Sequence, residues 1–300
     1  MKHIIESQQF DQKMINTIFS LADSLEKNTD TSLKGKILAS LFYEPSTRTR
    51  FSFESAMLRL GGSVIATENA KEFSSAAKGE TLEDSIRVIG NYADVIVLRH
   101  YEKNASKRAS LISGIPVINA GDGTGQHPTQ ALLDLYTIRK EFGAIDGIII
   151  ALVGDLKHGR TIRSLAYLLG KYDDIKIYFV SPKALAVGDD IKKYLKRHAI
   201  RYEETEDLNT IIHKVDVVYQ TRIQKERFVS EKEYRKFKGC YTIDTNLVRQ
   251  MKAKSIIMHP LPRVDEISPE VDHSPKAVYF KQAHYGLLIR MALLKYIFMA

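Results

Sequence analysis

The stretch ILASLFY at residues 37–43, followed by EPSTRTR at 44–50 and FSFESAMLRLGG at 51–62, decides the fold. The first segment is an apolar run of strand length, and the last has apolar residues at helical spacing before two glycines. A buried strand therefore passes directly into a helix, whose start offers unpaired backbone N–H groups and the positive end of the dipole. Ser46-Thr47-Arg48-Thr49-Arg50 at this turn predicts a phosphate site. The alternative is a helix cap with two solvated arginines.

Strands and helices alternate along the whole chain. In the first part, strand patterns lie at 63–66, 94–100 and 116–120, and helical patterns lie at 11–27, from Thr81, at 104–113 and at 129–142. In the second part, strands are predicted at 147–154, 175–180, 215–220 and 255–260, and helices at 160–171, 183–198, 206–214 and 245–253. Apolar strands that alternate with helices are typical of parallel sheets covered on both faces. The pattern predicts two α/β domains joined through the helix at 129–142, and one last apolar helix at 282–299.

The composition limits the classes of function. The 300 residues are 44% apolar and 27% charged, as in ordinary globular proteins. No run reaches the ~18 apolar residues of a membrane span, and the start MKHIIESQQF lacks the apolar core of a signal peptide. We therefore expect a cytoplasmic protein without a membrane partner. The net charge of +8 favours small anionic ligands, and no nucleic-acid partner is expected because no block of five like charges occurs.

The single cysteine and the nine histidines predict no metal site. Because Cys240 is the only cysteine, the chain can form neither an internal disulfide nor a zinc site made of several cysteines. We interpret Cys240 as a buried small residue ahead of a short strand at 241–244. The histidines lack H-x-x-x-H spacing and neighbouring carboxylates. No Ser/His/Asp or Cys/His arrangement stands out, and G-x-S-x-G is missing. We therefore expect no metal, no cofactor and no covalent catalysis, with the nucleophile supplied by a substrate.

Candidate functional residues follow the predicted strands. Ligands of open parallel sheets bind beyond the carboxyl ends of the strands, so side chains at these positions can meet in one cleft. The sequence therefore predicts a cleft with several positive groups. Its residues are Arg99 and His100 after the strand at 94–98, His127 in the Gly-rich loop at 121–128, Arg160 after 147–154, Arg222 and Gln224 after 215–220, and His259 after 255–258.

Three segments have competing interpretations. GDLKHGRT at 154–161 has the spacing of a nucleotide-binding P-loop, but Arg160 replaces its lysine, so nucleotide hydrolysis stays an alternative. His127-Pro128-Thr129-Gln130 enters a helix, where it would polarise a carbonyl and hold an amide group. The alternative there is a capped helix with an exposed histidine. The polar loop at 69–80, which contains Lys78, is typical of a solvated surface.

Four segments resemble the transcarbamoylase family in order and spacing. The aspartate carbamoyltransferase branch is indicated by Arg160, by Ser74 with Lys78-Gly79-Glu80, and by Gln220-Thr221-Arg222-Ile223-Gln224. The ornithine branch usually has His-Cys-Leu-Pro near the end, whereas residues 259–262 of this chain read His-Pro-Leu-Pro. Transfer to ornithine or another amine is the alternative. The match spans essentially the whole chain. The four segments are Ser46-Thr47-Arg48-Thr49-Arg50, Arg99-His100, His127-Pro128-Thr129-Gln130 and His259-Pro260-Leu261-Pro262-Arg263.

The resemblance implies transfer of the carbamoyl group of carbamoyl phosphate to the α-amine of L-aspartate, in pyrimidine biosynthesis. The implied phosphate ligands are Ser46, Thr47, Arg48, Thr49 and Arg99, with Lys78 coming from the adjacent chain. Ser74 is a further implied substrate-binding residue. Thr49, Arg99 and His127 would face the carbonyl oxygen, and Gln130 with the backbone oxygen of Leu261, beside Pro262, would hold the carbamoyl NH₂. Arg160, Arg222 and Gln224 would bind aspartate. The implied catalytic residues are Arg48, Thr49, Lys78, Arg99 and His127.

The resemblance also implies an organisation. Residues 1–130 with 285–300 would form a carbamoyl-phosphate-binding domain, and 131–284 an aspartate-binding domain, so that the last helix returns to the first domain. The assembly would be a homotrimer whose active sites are shared between neighbours. Some members carry a separate regulatory chain in an allosteric complex, and the sequence leaves this open. Ala77 stands where bacterial members have a second lysine, but Lys78 matches the functional one.

Overall fold

The structure, a computed structural model, describes residues 2–224, 228 and 230–299. The chain forms two compact units, Met1–Tyr136 with His284–Ala300, and Thr137–Ala283. The sequence analysis places the two boundaries after residues 130 and 284. Each unit contains one parallel sheet with helices packed on it, which confirms the predicted fold class. None of the helices in these described residues is both long and apolar enough to cross a membrane.

The first unit contains a four-stranded parallel sheet. Its strands β1 (Ile37–Phe42), β2 (Ser63–Glu68), β3 (Val95–His100) and β4 (Val117–Asp122) lie in the order β2-β1-β3-β4. The central strands β1 and β3 are buried along almost their whole length, whereas β2 at the edge is mostly exposed. The helices of this part of the chain are α1 (Gln12–Lys27), α2 (Thr47–Arg59), α3 (Ala70–Phe73), α4 (Leu82–Ile89) and α5 (Ala105–Ile112).

The last helix belongs largely to the first unit, as predicted. Helices α6 (Pro128–Phe142) and α11 (Tyr279–Phe298) each contain a boundary between the units. Near the end of α11, Lys295 forms an ion pair with Asp30, which follows α1. The ammonium of Lys36, just before β1, lies 5.6 Å from the centre of the Phe298 ring. These contacts tie the end of α11 to the beginning of the sheet.

The second unit contains a five-stranded parallel sheet in the order β7-β6-β5-β8-β9. The register aligns Val153 with Gln220 and Val218 with Ile257, so the strands β5, β8 and β9 end side by side. The strands are β5 (Ile149–Val153), β6 (Lys176–Val180), β7 (Arg201–Thr205), β8 (Val217–Gln220) and β9 (Ile256–Met258). The helices are α7 (Arg160–Leu169), α8 (Asp189–Arg197), α9 (Glu231–Arg235) and α10 (Thr245–Gln250).

Three local predictions in the second unit are wrong. The helix predicted at 206–214 is a series of turns at 209–214, preceded by the unpredicted edge strand β7. Thr205 Oγ1 accepts the N–H of Asp207 and Asp207 Oδ1 accepts the N–H of Asn209, and such local hydrogen bonds favour turns over helix. Cys240 is exposed, not buried. The strand expected after it is reduced to an isolated bridge between Ile243 and Ile267.

Candidate active site

The turn from β1 into α2, at residues 44–50, forms a candidate anion-binding site in the first unit, which we call the anion seat. Ser46 is the N-cap residue, and the first intrahelical hydrogen bond runs from Arg50 N–H to Ser46 O at 3.1 Å. The N–H groups of residues 47–49 precede it, so helix geometry leaves them without intrahelical partners. Thr49 is buried at 6% exposure and Arg48 is exposed. The seat therefore combines the helix N-terminus with one accessible guanidinium.

The second arginine of the motif, Arg50, has carboxylate partners. Its Nη2 lies 3.0 Å from Glu68 Oε2 at the end of β2, and its Nε lies 3.9 Å from Glu54 Oε1. Ser40 Oγ also donates a hydrogen bond to Glu54. Arg50 therefore connects α2 to the edge of the sheet, which leaves Arg48 as the arginine of the anion seat.

Arg99 lies beside the same turn. It stands opposite Phe42 in the β1–β3 register, and its Nη2 lies 2.9 Å from Glu44 Oε2, which begins the turn. A second guanidinium nitrogen donates to Ala120 O at 3.4 Å. The carboxylate and the carbonyl hold the Arg99 fork at the carboxyl end of the sheet, where an anionic ligand would compete with Glu44 for it.

The His100 ring is held in place by contacts within its own loop. Its Nδ1 accepts the N–H of Glu102 at 3.0 Å, and its ring stacks on Tyr101 at 4.3 Å. Burial lowers the pKa of His100 below its usual value. The ring is therefore neutral near pH 7 and supports the loop after β3.

The Gly-rich loop positions His127 at the start of α6. Asp122 Oδ1 accepts the N–H of Gln126 at 2.9 Å, and a Cβ atom on Gly125 would lie only 2.5 Å from that same oxygen. His127 is buried, at 4% exposure, so the alternative of an exposed histidine is wrong. The hydroxyl of Thr129 lies 3.3 Å from His127 Nδ1.

Gln130, one turn into α6, has a defined amide orientation. Its Nε2 donates to Asp134 Oδ1 at 2.8 Å, and both residues are buried. An ionised carboxylate only accepts hydrogen bonds, so the NH₂ of Gln130 faces Asp134 and Oε1 is the atom available to a ligand donor. The buried Arg290 of α11 interacts electrostatically with Asp134, and its guanidinium lies 5.2 Å from the Phe53 ring centre.

Ser74 and Lys78 lie in the segment after the edge strand β2. Ser74 Oγ accepts the N–H of Ala76 at 3.1 Å and caps a 3₁₀ helix at Ser75–Lys78. The Ser74 hydroxyl also donates to Ala70 O. Lys78 is exposed, and we find no ion pair of its ammonium with another described residue. Whether these two side chains bind a substrate stays a prediction.

The aspartate-binding candidates of the second unit follow neighbouring strands. Arg160 is the first residue of α7 after β5, and Arg222 and Gln224 follow β8; all three are half-buried. Gly154 adopts φ of +115°, and a Cβ there would lie 2.3 Å from Thr221 O, so the two strand ends approach too closely for any side chain. Residues 225–227 and 229, which continue this segment, lie outside the described part of the chain.

The loop after β9 carries the last candidates. Leu261 has a positive φ of 52°, and the Leu261–Pro262 peptide bond is cis. Arg263 is held by Asp272, with Nη2 to Oδ2 at 2.5 Å, and its Nη1 donates to the Tyr279 hydroxyl at 2.9 Å. The hydrogen bond from Arg263 holds the pKa of Asp272 below its usual value. Arg263 therefore fastens the loop to the start of α11.

Two family models match this chain. The aspartate/ornithine carbamoyltransferase carbamoyl-P binding domain matches residues 2–140, and the Asp/Orn binding domain matches residues 146–297. The chain belongs to the aspartate/ornithine carbamoyltransferase family. This confirms the resemblance in the sequence motifs. The P-loop-like segment at 154–161 lies within the second match, so the nucleotide-hydrolase alternative has no support.

Similar proteins share almost the full length. Aspartate carbamoyltransferase 3 of Pisum sativum, named chloroplastic, is 59% identical over 97% of this chain and 76% of its own length. The catalytic subunit of Methanocaldococcus jannaschii is 54% identical over 98% and 97%. Its solved structure has a TM-score of 0.92, at 53% identity, covering 100% of this chain and 98% of that one. The Trypanosoma cruzi enzyme in complex with N-(phosphonacetyl)-L-aspartic acid has a TM-score of 0.93 at 43% identity, covering 98% and 94%.

The structure shows acidic residues beside the candidate side chains that the sequence analysis missed. Glu44, Asp134, Glu266 and Asp272 each bond to a candidate side chain or to one of its neighbours. Only the Gln130–Asp134 pair has a sequence signal, because residues four apart face each other on a helix. No group of three or more His, Cys, Asp or Glu side chains in the described ranges is placed to hold a metal ion.

Proposed function

We propose that this protein transfers the carbamoyl group of carbamoyl phosphate to the α-amine of L-aspartate, which yields N-carbamoyl-L-aspartate and phosphate. The observation that carries the proposal is the anion seat at the start of α2 together with near-full-length similarity to proteins named aspartate carbamoyltransferase. Trypanosoma cruzi aspartate transcarbamoylase, 41% identical, has been solved with carbamoyl phosphate and aspartate.

Carbamoyl phosphate suits the groups of the first unit. Its phosphate would take the N–H groups of residues 47–49, the Arg48 guanidinium and the Arg99 fork, with Ser46, Thr47 and Thr49 hydroxyls alongside. The carbamoyl oxygen would face Thr49, Arg99 and His127. The carbamoyl NH₂ needs acceptors, and the Gln130 amide presents its oxygen because Asp134 takes the NH₂ of that amide.

Aspartate suits the second unit better than ornithine does. Arg160 and Arg222 offer one planar fork for each carboxylate, and Gln224 can bond to the remaining polar atoms. An ornithine side chain would bring a cation to two arginines, and like charges in contact cost several kcal/mol. Aspartate is therefore the amine that this donor set selects.

The chemistry then needs no covalent intermediate with the protein. The uncharged amine attacks the carbamoyl carbon, and negative charge develops on the carbamoyl oxygen. Arg99, His127 and Thr49 would stabilise that oxyanion. The bond from the carbamoyl carbon to the phosphate oxygen then breaks, the attacking nitrogen gives up one proton to the departing phosphate, and the phosphate leaves as an anion bound by Arg48 and the helix N-terminus. Positioning and oxyanion stabilisation supply most of the rate enhancement in such a reaction.

One assay decides between the two amines. Phosphate release from carbamoyl phosphate is measured with aspartate and with ornithine, and we expect at least a hundredfold preference for aspartate.

Arg222→Ala should raise the KM for aspartate by about ten- to a hundredfold, because a charge-assisted hydrogen bond contributes about 1.5–3 kcal/mol. Arg48→Ala should nearly abolish turnover. Arg197→Ala, an exposed arginine at the end of α8, controls for the loss of one positive charge. A preference for ornithine would overturn the proposal.

We also propose a homotrimer in which Ser74 and Lys78 complete the site of a neighbouring chain. The exposed Lys78 and its position after the edge strand β2 support this. Mixing Arg48→Ala chains with Lys78→Ala chains should restore activity, because some neighbours then combine an intact Arg48 with an intact Lys78. Mixed assemblies that exchange chains but stay inactive would refute the shared site.

The cellular setting is part of the same proposal. The reaction would belong to pyrimidine biosynthesis in the cytoplasm, and no metal or cofactor is required by the chemistry above. Some relatives carry names that include "catalytic subunit", which supports testing for a separate regulatory chain. Sizing the native complex from its source distinguishes a trimer alone from a larger allosteric complex.

A further inference from the structure

Two buried side chains in the loop that follows β9 form a hydrogen bond with each other. His259 and Glu266 are 2% and 5% exposed, and His259 Nε2 lies 2.8 Å from Glu266 Oε1. On the other side of the ring, the backbone N–H of Leu261 points to His259 Nδ1, with a nitrogen–nitrogen distance of 2.7 Å. Each ring nitrogen therefore has a hydrogen-bond partner within the same loop.

These partners determine the protonation state of the imidazole. A backbone N–H only donates, so Nδ1 must present a lone pair to Leu261. The ring proton is then on Nε2, which donates it to the Glu266 carboxylate. Burial would raise the pKa of Glu266, but the hydrogen bond from His259 and the backbone N–H groups lower it below its usual value. His259 is thus neutral and Glu266 is ionised.

Glu266 extends this arrangement through the rest of the loop. Its Oε2 accepts the N–H groups of Val264 at 3.0 Å and Asp265 at 3.1 Å. At the beginning of the loop, the His259 N–H donates to Gln282 Oε1 at 3.0 Å. Four backbone N–H groups of the loop therefore end on buried side-chain acceptors, which limits the conformations available to it.

Leu261 is the residue that most needs this support. Its φ of 52° lies in the left-handed region, which a branched side chain such as leucine rarely adopts. Such a conformation persists only where its surroundings impose it. The hydrogen bond from its N–H to His259 acts directly on this peptide unit, and thereby on the direction of the neighbouring carbonyl groups.

We propose that His259 is a positioning residue for carbamoyl transfer. Its neutral imidazole, oriented by Glu266, holds the Leu261 backbone so that the Leu261 carbonyl oxygen accepts a hydrogen bond from the carbamoyl NH₂. This inference rests on the proposed function and on the contact between that oxygen and the carbamoyl NH₂ that the family resemblance implies. His259 acts through Leu261, so its loss should lower the rate by misplacing an acceptor, and a misplacement of about 1 Å can cost 10²-fold in rate.

Two matched variants test the two ring nitrogens separately. In His259→Asn the amide oxygen lies near the position of Nδ1 and can accept the Leu261 N–H, whereas in His259→Gln the amide NH₂ reaches the position of Nε2 and donates only to Glu266. We expect kcat within about threefold of wild type for the first and about 10- to 100-fold lower for the second. The KM for aspartate should stay within about twofold in both, because Arg160 and Arg222 are unchanged.

Unfolding and spectroscopy separate positioning from general support of the fold. Thermal unfolding of both variants gives the folded fraction, by which kcat is corrected. ¹⁵N NMR of the histidine ring in the wild-type protein should show the neutral Nε2–H tautomer between about pH 6 and pH 8. This measurement stays informative if neither variant folds, and an Nδ1–H tautomer or a charged ring would overturn the inference.

The inference about His259 can fail while the proposed function holds. If the wild type carbamoylates aspartate but both variants lose the same fraction of kcat, or lose none after correction for folding, His259 does not position Leu261. If the wild type does not carbamoylate aspartate, the proposed function fails first, whatever the tautomer.

Discussion

Asp134→Asn tests how one buried carboxylate supports the carbamoyl-phosphate site. Asp134 is 0% exposed and Arg290 is 4% exposed. Burial lowers the pKa of Arg290 to about 10, although the Asp134 charge acts in the opposite direction. The Arg290 cation is therefore unfavourable even beside Asp134, and we expect the uncompensated cation to destabilise Asp134→Asn by about 3–5 kcal/mol.

The same substitution should change substrate binding. Asparagine can donate as well as accept, so the Gln130 amide is no longer required to turn its NH₂ toward position 134. A reversed Gln130 amide would present NH₂ to the carbamoyl NH₂, which leaves two donors facing each other. A missing hydrogen bond to a buried polar group costs about 1–3 kcal/mol, so the KM for carbamoyl phosphate should rise about five- to a hundredfold.

Urea unfolding and initial-rate kinetics measure the two effects. Arg290→Met and the double variant complete a thermodynamic cycle, and the double variant should be more stable than Asp134→Asn alone because no uncompensated charge remains. Asp173→Asn, an exposed acid that follows α7, controls for the loss of one negative charge. The reasoning is refuted if Asp134→Asn unfolds within about 1 kcal/mol of wild type and binds carbamoyl phosphate normally, since mutations without a specific mechanism stay within that range.

Three further substitutions have separate expected outcomes. Gly154→Ala should destabilise the second unit by more than about 1 kcal/mol, seen by thermal unfolding, because its φ is +115° and a Cβ would lie 2.3 Å from Thr221 O. Burial would raise the pKa of Asp30, but hydrogen bonds, chiefly from Lys295, lower it from 3.8 to about 2. Its contribution to stability is therefore complete above about pH 4 and lost as the pH falls toward 2, and Asp30→Asn should lack this part of the acid transition in pH-dependent urea unfolding. His127→Ala should lower kcat by about 10²–10³ with little change in the KM for either substrate, measured by phosphate release.

The sequence predicts where the candidate site residues lie in the fold because they follow strands. An apolar run such as 37–43 ends where a parallel strand ends, and the polar residues after it must lie at that edge of the sheet. The edge strand β7 was not predicted because its residues, RYEET, are polar and mostly exposed, so no apolar pattern marks it. The turns after it were mistaken for helix because the apolar residues Leu208, Ile211 and Ile212 have helix-like spacing, whereas the Asp207 side chain bonds locally to the backbone and favours turns.

The supporting carboxylates are harder to predict because their partners are distant in the sequence or lie in irregular loops. Glu44 pairs with Arg99 across two strands, and Glu266 pairs with His259 around a loop without periodicity. An isolated Glu or Asp in a sequence is most often solvated, so pattern alone does not distinguish these acids from surface ones. Only the folded backbone brings each acid to its partner.

These acids have a common physical role. In a chain with a net charge of +8, Glu44, Asp134, Glu266 and Asp272 are each placed against a guanidinium, an amide or an imidazole at or next to the candidate site. An ionised carboxylate accepts and cannot donate, so it determines which atom of its partner is turned toward it and which is left for substrate. Changing such an acid to its amide preserves shape but removes that directionality. We therefore expect conservative amide substitutions at these positions to alter substrate binding and rate more than replacement of an exposed acid of the same type, which contacts only water.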